Sequence, residues 1–156
     1  AGMVHLNVLD LSNNRLANIT HDDFKDLTAL EILVLSMNRL TSIAPGTFAG
    51  LHALQNVSLY NNKLASIEAG TFAGSDGLSA METFDLSNNE LGFISEGGFE
   101  GLSNVRTLKL NYNGAFDSYN YNWLLRIEDG AFRHMPLLGF LDLSNSGVRN
   151  ITDGTF

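Results

Sequence analysis

With 156 residues, 44% of them hydrophobic and 17% charged, the chain has enough apolar content for one domain with a core and too much for disorder. Nine basic residues against 17 acidic ones leave a net charge of −8, which disfavours nucleic acid (absent a local basic patch) and anionic lipid surfaces as partners. The lack of any cysteine excludes disulfides, thiol catalysis and thiolate metal sites.

No run of about 18 apolar residues occurs, so direct membrane insertion by this segment is not expected. Ala1–Asp10 show no basic start followed by a long apolar stretch, so no signal peptide is read there.

One frame, L-x-x-L-x-L-x-x-N-x-L-x-x-I-x-x-x-x-F-x-x-L, accounts for nearly the whole chain. The first copy runs through Leu6, Leu9, Leu11, Asn14, Leu16, Ile19, Phe24 and Leu27. The second runs through Leu30, Leu33, Leu35, Asn38, Leu40, Ile43, Phe48 and Leu51. The third holds Leu54, Val57, Leu59, Asn62, Leu64, Ile67 and Phe72, then Leu78 after three extra residues. The fourth holds Met81, Phe84, Leu86, Asn89, Leu91, Ile94, Phe99 and Leu102. The fifth opens with Val105, Leu108, Leu110 and Asn113 and resumes at Leu124, Ile127, Phe132 and Met135. The sixth is Leu138, Leu141, Leu143, Ser146, Val148, Ile151 and Phe156.

Each L-x-L is expected to be a short strand with its leucines facing the core, and stacked copies make a parallel sheet. The Asn ends the strand and can satisfy turn backbone with its amide, forming a ladder through the stack. Ser146 replaces it in the sixth copy and reaches less far, so a looser sixth turn is expected. Phe24, Phe48, Phe72, Phe99, Phe132 and Phe156 are expected to stack as a spine on the opposite wall.

This frame resembles the leucine-rich repeat family over the whole chain, in its 24-residue class. The resemblance implies an α/β repeat solenoid. That is a horseshoe segment with one short parallel strand per repeat on the concave face and an irregular or 3-10 convex side. Residues 1–156 form one such solenoid of about six repeats. The class occurs mainly in extracellular and cell-surface proteins, among them Toll-like receptors and adhesion molecules, which implies a secretory-pathway glycoprotein. Members usually carry cysteine-stapled caps, and none is present here. Phe156 also precedes the last apolar slot of its repeat, so an uncapped fragment of a longer protein is expected.

Catalysis finds no constellation. His5, His21, His52 and His134 occupy different repeat positions without metal-ligand spacing, so no metal and no cofactor are expected. There is no H-E-x-x-H, no G-x-S-x-G and no P-loop. Gly74–Gly77 lie in the third-repeat insertion and suit a turn. The pairs Asp22–Asp23 and Glu128–Asp129 are read as solvated acids on convex loops, and the chain as no enzyme.

Binding is expected on the concave face, because the residue between the two strand leucines points away from the core. That row is Asp10, Val34, Ser58, Asp85, Lys109 and Asp142. Serines beyond the strands suit turns, so the less expected residues are the candidate contacts: Val34, Met37, Tyr60, Arg106, Lys109 and Tyr112. The fifth repeat spans 33 residues from Val105 to Leu138. Its excess, after Asn113, crowds Phe116, Tyr119, Tyr121 and Trp123 together. Such aromatics suit a ligand contact and equally a loop folded over its own coil. Insertions at this position form ligand or dimer contacts in some Toll-like receptors, so the resemblance also implies a receptor dimer in the parent protein.

Three N-x-S/T sequons begin at Asn18, Asn56 and Asn150. Asn18 and Asn150 share an exposed slot on the rising edge, whereas a glycan on Asn56 would obstruct the concave face. Three functional readings follow: an extracellular segment that recognises a protein ligand or receptor partner, an intracellular scaffold or regulatory module, and a structural spacer.

Overall fold

The computed structural model describes residues 2–72, 78–117 and 122–156. Its strands are β1 (Val8–Asp10), β2 (Ile32–Val34), β3 (Asn56–Ser58), β4 (Ser66–Ile67), β5 (Thr83–Asp85), β6 (Phe93–Ile94), β7 (Thr107–Lys109), β8 (Ala115–Asp117), β9 (Asn122–Leu124), β10 (Arg126–Ile127) and β11 (Phe140–Asp142). Strands β1, β2, β3, β5, β7 and β11 form one sheet in that order, and every neighbouring pair in it is parallel.

The register follows the frame. Leu9, Leu33, Val57, Phe84, Leu108 and Leu141 stand opposite one another along the sheet. In β2, β3, β5 and β7 that middle residue is buried and its two flanking residues are half-buried. Alternation at period two thus sends one side chain per coil inward and two outward. In β1 and β11 the middle residue is only half-buried, since an end coil has a neighbour on one side.

Among the described residues the convex side holds one helical turn, α1 (His21–Phe24), and one 3-10 turn (Leu78–Ala80) between irregular segments. A second parallel sheet, β10-β6-β4, runs up the rising side. The frame did not suggest it, because a two-residue strand leaves no alternation to read.

The phenylalanine spine stacks over its last four members. Phe72 and Phe99, Phe99 and Phe132, and Phe132 and Phe156 stack at 6.2, 5.6 and 5.8 Å with nearly parallel rings. Phe24, Phe48, Phe72, Phe99 and Phe132 are buried, but Phe156 is 69% exposed. Its outer ring face has no coil stacked on it.

The asparagine ladder ties coil to coil. Asn38 Nδ2 donates to Leu35 O at 3.0 Å in its own coil and to Leu11 O at 2.9 Å in the preceding one. Its Oδ1 accepts the Leu16 N–H at 3.0 Å. Asn62, Asn89 and Asn113 repeat all three bonds in their coils. Each amide therefore pairs backbone groups that the strand-to-turn transition would leave buried and unsatisfied.

Three details depart from expectation. The sixth turn is not loose at its rung: Ser146 is 1% exposed. Its hydroxyl donates to Leu110 O at 2.7 Å and accepts the Asn113 N–H at 3.1 Å. A single hydroxyl, being both donor and acceptor, performs the inter-coil work of the amide. In the fifth coil the buried residue is Leu125, not Leu124, because Leu124 closes β9. The acidic pairs also have structural partners. Asp23 accepts the Thr20 N–H and hydroxyl at 2.7 and 3.0 Å, and Asp22 pairs with Lys25 at 2.8 Å. Glu128 accepts the Glu96 N–H at 3.1 Å and Asp129 accepts the Thr152 hydroxyl. Gly74–Gly77 lie outside the described residues.

Candidate recognition site

The concave face has a default coil and three departures from it. In the first, fourth and sixth coils the outward strand residue is aspartate followed two residues later by serine. Asp10, Asp85 and Asp142 accept the N–H of Ser12, Ser87 and Ser144 at 2.8, 3.0 and 2.9 Å. This local turn closes the strand end. The Ser12 hydroxyl and N–H hold the Asp10 carboxyl below its ordinary range. The Ser144 hydroxyl and N–H do the same for Asp142, with help from Lys109.

The second, third and fifth coils break this pattern with Val34, Ser58 and Lys109. Ser58 and Ser36 bond across the strands at 2.8 Å, and Lys109 pairs with Asp85 at 3.5 Å. The same three coils present Met37, Tyr60 and Tyr112, which are 47%, 37% and 58% exposed. In the fifth coil, which has no such aspartate, the buried Asn111 Oδ1 has no hydrogen-bond partner among the described residues.

The third residue after each strand of the main sheet is held in the left-handed region. Asn13, Met37, Asn61, Asn88, Tyr112 and Asn145 all have φ between 54° and 58°. The geometry is imposed by stacking: the N–H groups of Asn13, Met37, Asn61, Asn88 and Tyr112 each donate to a carbonyl of the next coil at 2.8–3.1 Å. Asparagine tolerates this conformation through its short polar side chain, whereas a larger L-residue pays about 1–2 kcal/mol. Met37 and Tyr112 are therefore strained, and exposed, where the other four coils use asparagine. The sequence signal was available as a slot filled by Asn four times in six.

The remaining candidates fall in different places. Val34 is half-buried at the end of β2, in register with Asp10 and Ser58. Arg106 is exposed and immediately precedes β7, whereas Tyr112 lies three residues past its other end. Tyr112 instead borders a hollow of about 370 Å³ with Asn61, Asn88, Glu90 and Asn145. Among the fifth-repeat aromatics, the backbone places Phe116 opposite Trp123 in the antiparallel hairpin β8–β9. Tyr119 and Tyr121 lie outside the described residues. Gly114 opens this hairpin with φ 121°, and a Cβ there would meet Leu124 N at 2.9 Å, so the chain can leave the coil only through glycine.

Asn18 and Asn150 are exposed and Asn56 is half-buried within β3. Among the described residues, no group of three or more His, Asp or Glu side chains is placed to hold a metal, and no helix is long and apolar enough to cross a membrane.

Parallel strands repeating every 24, 24, 27, 24 and 33 residues, joined by a side-chain ladder and an aromatic spine, define a repeat solenoid. A family profile described as leucine rich repeat matches residues 4–64 and 53–114, and the chain belongs to that family. Among solved structures, a chain of the TLR13–ssRNA13 complex matches with a TM-score of 0.76 and 29% identity. The match covers 93% of this chain and 19% of that one. The APL1 leucine-rich repeat domain matches with a TM-score of 0.73 and 20% identity, covering 94% of this chain and 35% of that one. The chain thus spans between a fifth and about a third of these structures. No curated protein sequence matches.

Proposed function

We propose that the chain is a non-catalytic recognition segment of an extracellular, receptor-type protein that binds a protein partner across its concave face and the adjoining rim. The observation that carries this reading is the strain at Met37 and Tyr112. Both occupy a left-handed position and both leave about half their surface in solvent, where an asparagine would keep the same backbone at lower cost. Strain kept where asparagine would serve is characteristic of binding positions. An aromatic and a methionine are also side chains that protein interfaces favour.

The similarity to a chain of the TLR13 complex supports the receptor-type reading. Because that protein is bound to ssRNA13, the expectation against nucleic acid is not carried forward, and single-stranded RNA enters the test as a competitor.

The test immobilises the chain and captures cell-surface proteins with the wild type and with a Met37→Asn/Tyr112→Asn variant. The expected result is a captured protein lost with the variant and not displaced by single-stranded RNA. Capture that is identical for both proteins removes the concave rim from the site. Displacement by RNA transfers the surface to a nucleic-acid ligand.

A further inference from the structure

The first three members of one column of side chains belong to none of the contacts above. The slot immediately after the ladder residue holds Arg15, Arg39, Lys63, Glu90, Gly114 and Gly147 in successive coils. The first three are exposed cations. Their backbones are stacked in register: the Arg39 N–H donates to Leu16 O at 2.8 Å, and the Lys63 N–H to Leu40 O at 2.9 Å. Neighbouring coils linked this way lie about 4.8 Å apart. The chain has nine basic residues in all, and three of them rise one above another on one edge.

Nothing within the described residues neutralises them. The four ion pairs present use Lys25, Lys109, Arg126 and Arg133, and none of the three column cations. Like charges at this spacing repel, and the coils gain no contact in return. The column ends where Glu90 takes the slot.

We propose that Arg15, Arg39 and Lys63 bind an acidic helix of a partner protein, laid along the solenoid axis with carboxylates at i, i+4 and i+7. From Arg15 to Lys63 is two inter-coil steps, about 10 Å, and two turns of helix rise about 10.5 Å. Side chains at those helix positions share one face at about 5–6 Å spacing, so each carboxylate meets one cation. A long polyanion fits less well. Beyond three coils it meets Glu90, and across the concave face it meets Asp85 and Asp142. Met37, two residues before Arg39 and exposed, supplies an apolar contact for the flank of the helix. This deepens the protein-partner reading above, and rests on it only for Met37.

The test measures fluorescence anisotropy of a stapled, alanine-based helix with glutamates at i, i+4 and i+7 against the full chain at low salt. Binding is expected, weakening about tenfold in an Arg15→Gln/Arg39→Gln/Lys63→Gln variant and as much when the glutamates move to i, i+2 and i+5. Equal affinity for the two helices, unchanged affinity in the variant, or tighter binding of heparin or an oligophosphate than of the helix overturns the proposal. Met37→Asn separates the two readings. Charge-dependent binding that ignores Met37 upholds the column and counts against the wider surface, whereas loss in Met37→Asn with none in the triple variant does the reverse.

Discussion

Ser146 and Asn113 are joined by a bond in which the Ser146 hydroxyl accepts the Asn113 N–H at 3.1 Å, while the same hydroxyl donates to Leu110 O at 2.7 Å. In each full asparagine rung the acceptor instead takes an N–H two residues beyond the preceding rung, as Asn113 does from Leu91. The exchange suits this coil, because the residue two beyond Asn113 is Ala115, the first of the hairpin strand β8. The ladder has rerouted its bond around the insertion.

The ladder's worth therefore depends on position. Asn62→Ala strands the Leu35 and Leu59 carbonyls and the Leu40 N–H in the interior, and is expected to cost about 3–5 kcal/mol. Asn14 bonds only Leu11 O and Ser12 O of its own coil and is exposed, so Asn14→Ala is expected to cost less than about 1 kcal/mol. Ser146→Ala falls between them, at about 1–3 kcal/mol. Urea unfolding of the three variants checks the order, and a similar loss at Asn14 and Asn62 would show that the amide acts within its own coil.

At the left-handed row, replacement by asparagine relieves strain. Met37→Asn and Tyr112→Asn are each expected to raise stability by roughly 1 kcal/mol. The urea midpoint should rise with an unchanged slope, since neither buried area nor the unfolded chain changes much. A lowered midpoint would mean that Met37 or Tyr112 packs on the solenoid, and would remove the strain argument for that residue.

The repeat frame made the core legible. Leu33, Leu35, Leu40 and Phe48 are all buried where periodicity put them, because each slot points one way in every coil. Three things were not legible. The hairpin β8–β9 hid in the aromatic insertion, where Phe116 and Trp123 suggested a contact but no turn signal set a register. The buried Leu125 hid beside Leu124, since adjacent leucines give the frame two ways to resume. The strain at Met37 and Tyr112 is a backbone property, and neither side chain reveals it without the four asparagines of the same slot. The column Arg15–Arg39–Lys63 is legible in the same alignment of coils, although a net charge of −8 averages it away.

Acid should loosen the end coils through their strand-closing turns. Asp10 and Asp142 have carboxyls held below the ordinary range, first by the Ser12 and Ser144 hydroxyls and then by the same residues' N–H groups. Groups lowered in the folded state stabilise it fully above the unfolded value of about 3.9. That contribution disappears as pH falls through the lower folded values. Carboxyl titration by NMR should show both aspartates below the ordinary carboxylate range, and Ser12→Ala and Ser144→Ala should bring each back towards it. Unshifted titrations in the wild type would mean that these turns do not hold in solution.

Glycan mapping by peptide mass spectrometry on material from its natural source decides between the extracellular and intracellular readings. Asn18 and Asn150 are exposed and hold the same slot of their repeats, so both sequons are expected to be occupied in a protein of the secretory pathway. Asn56 is half-buried at the start of β3, with Ile32 and Thr83 in register on either side, and is expected to be bare. Bare asparagines at all three positions would favour the intracellular scaffold. A glycan on Asn56 would instead stand in the middle of the concave face and block it. Recognition would then fall to what lies beyond its reach, the hairpin of the fifth coil and the cationic edge of the first three.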